Sequence, residues 1–302
     1  MRVFVTGATG FVGSAVVEDL MQAGHRVLGL ARSDEAAATL TGLGAEVQRG
    51  SLLDIDSLVT AAKACDGVIH TAFIHDFSNM PESAKTDLAA IEAMGAALAG
   101  SGKPFVVTSA IGILQPGRIS VESDAPMAAS AGSYRIPSEL AALALGGQGV
   151  RASVVRLPPS VHGDGDHGFV PALIGIARKQ GSSAYIDDGM TRWPAVHRHD
   201  AARLYRLALE SGVAGSVYHA VAEEGVATRE IAGVIGRRLN LQVVGMSGDQ
   251  AAGHFGFIGR FFGMDCPASS EQTRRQLGWR PTHPGLLEDM DREAYFAGEL
   301  NP

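Results

Sequence analysis

The glycine-rich stretch T-G-A-T-G-F-V-G at residues 6–13 constrains this chain more than any other segment. It lies between an apolar run typical of a strand, Arg2 to Val5, and a run with helical spacing, Val12 to Ala23. In this setting the first glycine permits a tight turn, the second lets the backbone approach a pyrophosphate, and the third allows close packing of helix on strand. The free N–H groups of the helix also attract phosphate, so the stretch predicts a dinucleotide-binding turn. The residues expected to line it are Gly7, Thr9, Gly10, Phe11, Val12 and Gly13.

The end of the second predicted strand indicates which dinucleotide binds. A site selective for NAD usually has an acidic residue there, which accepts a hydrogen bond from the ribose 2′-hydroxyl. In this chain Ala31 and Arg32 follow the strand Arg26 to Leu30. A guanidinium suits a 2′-phosphate, because the hydrogen bonds are charge-assisted. Arg32 therefore predicts NADP(H); a solvated surface arginine is the alternative.

Short β-branched runs alternate with longer amphipathic stretches through the first half of the chain. This alternation is typical of a parallel, doubly wound sheet with helices on both faces, an α/β fold of the Rossmann type. After the Pro158-Pro159 pair the rhythm changes, and helical patterns mix with glycine-rich loops. We therefore expect a smaller, interleaved C-terminal substrate lobe. The expected parts are a dinucleotide-binding domain of residues 1–163 and 196–221 and a substrate lobe of residues 164–195 and 222–302.

Composition limits which classes of partner and which cellular compartment are expected for this protein. The 302 residues carry a formal net charge of −7, which argues against a nucleic-acid partner and against adherence to an anionic membrane. The two cysteines, Cys65 and Cys266, are too few for a disulfide scaffold or a cysteine-based zinc site. No apolar stretch approaches the roughly 18 residues of a transmembrane helix, and the start of the chain lacks the pattern of a signal peptide. We expect a cytoplasmic protein that binds a small molecule.

Three later segments, with the glycine turn, carry a resemblance to a known family. They are V-V-R-L-P-P-S-V-H-G at 154–163, W-P-A-V-H-R-H-D at 193–200 and L-G-W-R-P at 277–281. In this order they resemble the short-chain dehydrogenase/reductase superfamily, in the extended or atypical branch that includes NAD(P)-dependent epimerases and dehydratases. The resemblance covers nearly the whole chain. It implies the Rossmann fold and a homodimer through the predicted helices at 81–99 and 138–145.

The resemblance also implies where the cofactor lies. Ser51 and Leu52 are expected near the adenine, and Thr71, Ala72 and Phe73 along the ribose. The remaining residues expected to line the cofactor are Thr108, Arg135, Pro158, Pro159, Ser160 and Val161.

The catalytic residues of the family are only partly present. Members use a Ser or Thr, a Tyr, and a Lys four residues after that Tyr. The charge of the lysine lowers the phenol pKa from about 10, so that the phenol exchanges a proton near neutral pH. Here the position of the hydroxyl matches Ala110, with Ser109 one position early, and no lysine occurs between Lys103 and Lys179. The standard mechanism therefore cannot be transferred to this chain.

Two registers remain open for the tyrosine segment. In the first, Tyr134 is the tyrosine of the family and Ser138 stands at the lysine position. In the second, Arg135 takes the tyrosine position and Glu139 the lysine position. An arginine can lower the pKa of a neighbouring phenol through its charge, but it cannot donate a proton near neutral pH.

Three side chains are candidates for the acid chemistry: Ser109, Tyr134 and His162. Tyr134 serves if its ring reaches the nicotinamide, and His162 because a histidine titrates near neutrality in the loop beside the expected pocket. The alternatives are a packed aromatic for Tyr134 and a backbone-bonding turn residue for His162. His75 and Asp76, after the fourth strand, are either a further polar pair at the sheet edge or a solvated loop.

A late histidine-rich segment resembles a metal site at first sight. His197, His199 and Asp200 have a spacing that matches no known ligand pattern. We expect no metal there and predict that Asp200 caps a helix from 200 to 209.

Three functional hypotheses follow. The first is an NADPH-dependent reductase that transfers a hydride to a small carbonyl or imine compound; an imine can arrive protonated and needs less from a protein acid. The second is a non-catalytic NADP-binding sensor or interaction protein, which tolerates the missing residues. The third is a sugar-nucleotide epimerase or dehydratase, against which Arg32 and the missing Tyr–Lys pair argue. Candidate walls of an apolar pocket are Phe73, Phe77, Phe169, Trp193, Phe255, Phe257, Phe261 and Phe262.

Overall fold

The computed structural model describes residues 1–76 and 78–297, so Phe77 lies outside the described residues. Within this part the strands are β1 (Arg2–Thr6), β2 (Arg26–Ala31), β3 (Glu46–Arg49), β4 (Gly67–His70), β5 (Pro104–Ala110), β6 (Arg151–Leu157), β7 (Ser160–His162), β8 (Ser183–Ile186), β9 (Arg192–His197), β10 (Ser216–His219), β11 (Glu223–Ala227) and β12 (Val243–Met246). The α-helices are α1 (Phe11–Gln22), α2 (Asp34–Gly42), α3 (Ile55–Ala64), α4 (Met80–Leu98), α5 (Ile136–Ala144), α6 (Phe169–Gln180), α7 (Arg198–Ser211), α8 (Thr228–Leu239), α9 (Gly248–Phe255), α10 (Ile258–Phe262), α11 (Glu271–Leu277) and α12 (Leu286–Met290). A 3-10 turn, Ser133–Arg135, leads into α5.

The central sheet has seven parallel strands in the order β3-β2-β1-β4-β5-β6-β10. The chain builds one half outward from β1 to β3 and then returns to β4, so the direction of winding reverses between β1 and β4. In open α/β sheets ligands bind outside the carboxyl ends of the strands at such a reversal. The glycine-rich turn follows β1 and residues 71–73 follow β4, so both predicted cofactor segments meet there.

Apolar side chains fill both faces of this sheet, as continuous buried strands require. On one face α1 and α7 pack through side chains such as Val16, Leu20 and Tyr205. On the other face α3, α4 and α5 pack through side chains such as Leu58 and Ile91. The predicted α/β fold, a doubly wound parallel sheet, is confirmed.

A second core lies in the later part of the chain. Small sheets, β11-β9-β7 and β12-β8, pack with α6, α8, α9 and α10. Trp193 is fully buried there, and its indole nitrogen donates to the carbonyl of Phe261 at 3.1 Å. No helix in residues 1–76 and 78–297 is both long and apolar enough to span a bilayer.

The structure agrees to within two residues with the predicted elements Arg2–Val5, Val12–Ala23, Arg26–Leu30, 81–99 and 138–145. Several later elements were not predicted. Strand β9 contains Pro194, a residue that weakens a sequence-based strand prediction, and it pairs in parallel with β7 and antiparallel with β11. The formation of β9 therefore depends on pairing partners that are distant in the sequence.

The prediction that Asp200 caps its helix is wrong. Helix α7 begins at Arg198, and its N-cap is His197, whose Nδ1 accepts the backbone N–H of His199 at 3.3 Å. The Asp200 carboxylate instead accepts the backbone N–H groups of Thr282 at 3.0 Å and His283 at 2.9 Å. The buried Asp200 carboxylate thereby holds the chain after α11 against α7.

Candidate active site

The glycine turn has the close packing that its sequence predicts. Gly7 has φ of +67°, and a Cβ there would lie 2.7 Å from the backbone nitrogen of Ala72. A Cβ at Gly13 would lie 2.0 Å from the carbonyl oxygen of Gly7. Real Cβ atoms do not approach a backbone atom this closely, so both positions require glycine.

The start of α1 is open to an anion. Its N-cap is Gly10, which provides no side-chain cap, and the first turn holds no acidic residue. The first N–H groups of the helix therefore point out of the turn with the positive end of the helix dipole. The residues present fit the pyrophosphate of a dinucleotide.

Arg198 adds a cation beside this turn, which the sequence alone did not indicate. Its guanidinium donates to Ser14 Oγ at 2.7 Å and to the carbonyl of Asp164 at 2.8 Å, and lies 4.7 Å from the ring centroid of Phe11. Its position directly after β9, in V-H-R-H-D, is the signal that could have found it.

The end of β2 carries Arg32 exposed. Within the described chain its guanidinium makes no hydrogen bond or ion pair, so it is free to take a ligand phosphate. Arg49 lies on the neighbouring strand directly beside Ala31, where it is paired with Asp34. Two cations thus stand at the edge where the 2′ position of a bound adenosine ribose is expected.

Of the other predicted adenine and ribose residues, Leu52 is buried and the rest are half-buried. Ser51 is half-buried and its Oγ accepts the backbone N–H of Leu53 at 3.2 Å, while Leu52 is buried in the core. Thr71 Oγ1 donates to the carbonyl of Thr6 at 2.7 Å. Thr71 and Ala72 therefore form the wall against which the glycine turn packs.

A buried polar chain runs from β1 to the carboxyl edge of the sheet. Thr6 Oγ1 lies 2.7 Å from His70 Nδ1, and His70 Nε2 lies 3.1 Å from Asp87 Oδ1. Desolvation opposes the charge of Asp87, but the guanidinium of Arg135, 3.9 Å from Oδ2, and the His70 hydrogen bond hold the pKa of this carboxyl below its usual range. The carboxylate can only accept, so His70 Nε2 donates to it, and in the neutral imidazole Nδ1 then accepts from the Thr6 hydroxyl.

The series of polar side chains ends at Arg135, which is buried at the sheet edge. Its Nη2 donates to the carbonyl of Thr108 at 2.6 Å, and its guanidinium lies 4.1 Å from the ring centroid of Phe73. Phe73 in turn lies 6.4 Å from the ring of Tyr134. The structure thus brings together Thr108, Phe73, Tyr134 and Arg135, four of the predicted site residues.

The geometry of α5 favours the second register. Arg135 and Glu139 are one helical turn apart and both are buried toward the sheet, while Tyr134 is half-buried and faces a cleft. Glu139 is bound by Arg156 of β6, with Nη2 to Oε1 at 2.6 Å and Nε to Oε2 at 3.1 Å. In this register, the position at which the family has its lysine holds a carboxylate in a buried ion pair.

Tyr134 lines a cleft of about 770 Å³ beside the sheet edge. The cleft walls include Met80, Pro81, Ile186, Phe257 and Phe261, with Arg260 as the charged side chain. Burial raises the pKa of the Tyr134 phenol above its ordinary range, and the charges of Arg135 and Arg260 act against that rise. The phenol is therefore protonated at neutral pH, the form that can give a proton to a substrate.

Of the predicted aromatic walls, Phe257 and Phe261 line the cleft and Phe73 contacts Tyr134. Phe255 and Phe262 belong to the second core with Trp193, and Phe169 packs on Trp193 and Phe261. The core takes these rings because they lie on the buried faces of their elements.

Ser109 and Ser160 lie at strand ends beside the site. Both are buried, and within the described chain their hydroxyls have no hydrogen-bond partner. Pro158 is buried, and Pro159 and Val161 are partly exposed around them. Neither hydroxyl oxygen is exposed to solvent, and neither serine lines the cleft around Tyr134.

His162 does not fit the acid role proposed for it. It is buried away from the cleft, its Nδ1 lies 3.0 Å from Asp289 Oδ2, and its ring is edge-on to His197 at 5.5 Å. Tyr295 shares Asp289 Oδ2 at 3.0 Å. His162 instead joins β7 to the chain around α12, because the imidazole satisfies a buried carboxylate.

The neighbouring histidines are stacked rather than gathered around an ion position. The rings of His197 and His283 lie 4.5 Å apart and 5° from parallel. In residues 1–76 and 78–297 no group of three histidine, cysteine, aspartate or glutamate side chains has the arrangement of a metal site.

The predicted pair after β4, His75 and Asp76, makes local contacts. Asp76 accepts the backbone N–H of Ser78 at 3.0 Å and shapes a turn, and the ring of His75 lies edge-on to that of Phe73 with centroids 5.3 Å apart.

The free energy of unfolding is expected to fall as the pH drops from about 6.5 to 4. His219 Nδ1 donates to the carbonyl of Ser269 at 2.8 Å, and Nε2 faces Nη1 of Arg156 at 3.3 Å. Burial, and then the charge of Arg156, lower the pKa of His219 from 6.5 to about 3. Burial lowers the pKa of His197 to about 4. Below pH 6.5 the unfolded chain takes up protons that the folded protein refuses, so stability is lost on acidification.

Asp166 acts in the opposite direction, because burial raises its pKa from 3.8 to about 6. Burial also lowers the pKa of His75, His199 and His254. The histidines together outweigh the one carboxylate, so we expect a net slope of at least about 1.4 kcal/mol per pH unit, the value for one proton. Urea unfolding between pH 4 and 7 measures it. The variant His219→Gln should lower the slope by about one proton, and an unaltered slope would contradict the assignment.

The fold and the glycine turn define a class of protein: a Rossmann-type α/β protein with a dinucleotide-binding turn after its first strand. The sequence profile of the NAD dependent epimerase/dehydratase family matches residues 3–221. The chain belongs to this family, within the extended short-chain dehydrogenase/reductase superfamily. Members are NAD(P)-dependent oxidoreductases and epimerases, so the resemblance seen in the sequence is confirmed.

Two fungal proteins are similar to the chain over nearly its full length. It is 50% identical to an uncharacterized protein of Schizosaccharomyces pombe, over 98% of this chain and 100% of that one. It is 47% identical to an uncharacterized protein of Saccharomyces cerevisiae, over 96% and 98%. A more distant relative is the 4-hydroxy-2-methyl-3-oxo-4-farnesyl-3,4-dihydroquinoline-1-oxide ketoreductase of Stigmatella aurantiaca, 26% identical over 99% and 98%.

Solved structures show the same fold. A dTDP-glucose 4,6-dehydratase from Streptomyces venezuelae with bound NAD matches with a TM-score of 0.79 at 20% identity, over 98% of this chain and 97% of that one.

Proposed function

We propose that the protein is an NADPH-dependent reductase that transfers a hydride to a small carbonyl or imine compound. The observation that supports this proposal is the cleft lined by Tyr134, whose phenol is protonated at neutral pH and whose ring lies 6.4 Å from that of Phe73, a residue expected along the cofactor. A reduction needs a proton for the substrate heteroatom, and a protonated phenol is such a donor. The relative named as a ketoreductase supports the same direction of reaction.

When bound, NADPH would supply the hydride, which adds to the carbonyl or imine carbon. The C=O or C=N π bond breaks, and the heteroatom takes a proton from Tyr134, which water then reprotonates. Arg135 is held by Asp87 and Thr108 beside this phenol, so it provides the positive charge that the family obtains from lysine. Gly7, Gly10 and Gly13 would hold the pyrophosphate.

The reaction can be tested by NADPH oxidation, followed at 340 nm, over a panel of aldehydes, ketones and cyclic imines. We expect turnover with at least one compound, and kcat about 100-fold lower in Tyr134→Phe, because the variant keeps the ring but lacks the proton. The variant His162→Ala serves as a comparison outside the cleft. Full activity of Tyr134→Phe would remove the phenol from the mechanism.

Arg32 is proposed to select NADPH. The variant Arg32→Ala should weaken NADPH binding by about 1–3 kcal/mol, the cost of a lost charged contact, and leave NADH binding nearly unchanged. Arg32→Lys should retain part of the affinity, because the charge remains but the bidentate geometry is lost. Fluorescence titration with both cofactors measures this, and equal losses for the two would refute the selection.

The buried Glu139–Arg156 pair favours a second candidate, a non-catalytic NADP-binding sensor or interaction protein, because it replaces the lysine on which the family's chemistry depends. Stoichiometric NADPH binding without turnover over the whole panel would support it.

A sugar-nucleotide epimerase or dehydratase is the third candidate. NAD retained through purification would support that function.

Three further expectations stay proposals. The first is the division into a cofactor part, residues 1–163 and 196–221, and a substrate part, residues 164–195 and 222–302; the cleft walls come from both. The second is a homodimer through α4 and α5. The third is a cytoplasmic location. The free, buried thiols of Cys65 and Cys266 support it, because thiols stay reduced in that compartment.

A further inference from the structure

We propose that the cleft takes a carbonyl compound with an alkyl or aryl body and a carboxylate, and that the carboxylate pairs with Arg260. This inference rests on the proposed reductase function and names its substrate class. It makes Arg260 the specificity-determining residue of the site.

The body of the substrate follows from the walls of the cleft. Most lining side chains are apolar or absent, as at Met80, Ile186, Phe257 and Phe261 and several glycines, and the polar ones among the described residues are Ser133, Tyr134 and Arg260. Phe257 is 56% exposed. A sugar brought here would lose hydrogen bonds to water without enough partners to replace them. An alkyl or aryl group instead gains from covering these walls.

The charge of the substrate follows from Arg260. It is exposed, and within residues 1–76 and 78–297 it makes no hydrogen bond or ion pair, unlike Arg135, Arg156 and Arg198. Among the residues that the structure describes, no acidic side chain lines the cleft beside it. An uncompensated guanidinium in an apolar cleft attracts an anion, and its fork geometry matches a carboxylate.

The placement of the two polar groups suits one ligand. Tyr134 and Arg260 both line this cleft, and the charge of Arg260 acts against the rise that burial causes in the Tyr134 pKa. A carbonyl at Tyr134 and a carboxylate at Arg260 would each have a partner, with the apolar body between the walls. A neutral ketone would leave the guanidinium without one.

The test compares oxo acids with their methyl esters, using phenylglyoxylate, 3-oxo-3-phenylpropanoate and 4-oxo-4-phenylbutanoate. We expect the ratio of kcat/KM for acid to kcat/KM for ester to fall about 10- to 100-fold in Arg260→Gln, the effect of losing a charged hydrogen bond. Comparing ratios between variants cancels the different reactivity of acid and ester. Arg260→Lys should keep most of the ratio. The matched control is Arg280→Gln, an exposed arginine outside the cleft, and it should leave the ratio unchanged.

Binding gives a second readout that needs no turnover. In the presence of saturating NADP⁺, calorimetry should show 4-phenylbutanoate binding more tightly than 4-phenylbutanamide, and the difference should vanish in Arg260→Gln. An unchanged ratio and unchanged binding in that variant would overturn the inference while reductase activity stands. If no carbonyl compound is reduced, the proposed function fails, and the binding titration alone decides whether the cleft takes an acid.

Discussion

Replacing Glu139 with alanine is expected to destabilise the folded protein by about 3–5 kcal/mol, the range for one partner removed from a buried ion pair. Glu139 is 0% and Arg156 1% exposed, and the guanidinium makes two hydrogen bonds to the carboxylate. Its other partners are the backbone carbonyls of Glu122 and Asp124 and the imidazole of His219, which carry no compensating charge. The variant would leave a buried cation unpaired.

Urea unfolding measures this loss, and two variants calibrate it. Asp291→Ala breaks the exposed pair with Arg237, whose side chains are 40% and 61% exposed, and should cost less than about 1 kcal/mol. Glu139→Gln keeps a hydrogen-bond acceptor and should fall between the two. A cost for Glu139→Ala no larger than that of Asp291→Ala would show that the pair is not what holds α5 on β6.

The same pair explains why the lysine of the family cannot simply be restored. A lysine at position 139 would place a second cation against Arg156 in the core, at a site where two like charges have no solvent to separate them. The ion pair and the family's lysine are therefore mutually exclusive at this position.

Replacing Gly13 with alanine should weaken dinucleotide binding by about 100-fold or more and destabilise the fold by about 3 kcal/mol, the upper part of the range for overpacked sites. The added methyl would lie 2.0 Å from the Gly7 carbonyl oxygen and 2.9 Å from Thr71 Oγ1. The clash is with backbone, so α1 has to move away from β1. That movement displaces the N–H groups expected to hold the pyrophosphate.

Titration with NADPH and urea unfolding of the variant measure both effects. The matched control is Gly233→Ala in α8, where an added Cβ meets nothing within 4 Å. That change should stabilise the protein by about 0.5–1 kcal/mol, because alanine is the better helix former. Wild-type affinity for NADPH in Gly13→Ala would show that the turn is not the pyrophosphate site.

The first half of the fold was predictable because its information is local. The T-G-A-T-G-F-V-G turn, the apolar runs of β1 to β6 and the helical spacing between them each lie within a few residues of one another. Strand β9 was missed, since it pairs with β7 and β11 across distant parts of the chain. The Asp200 prediction failed for the same reason. The backbone N–H groups that donate to its carboxylate belong to Thr282 and His283, more than 80 residues away in the sequence.

The candidate site divides in the same way. From the sequence alone came the dinucleotide turn, the cation Arg32 and the absence of the family's lysine, because these depend on residue type and on spacing along one element. Tertiary structure decided that Arg135 and not Tyr134 faces the sheet, and that Glu139 forms an ion pair with Arg156. It also decided that His162 contacts the Asp289 carboxylate and that Arg260 lines the cleft. Side chains become partners through the packing of separate elements, and burial then fixes which of them can carry a charge.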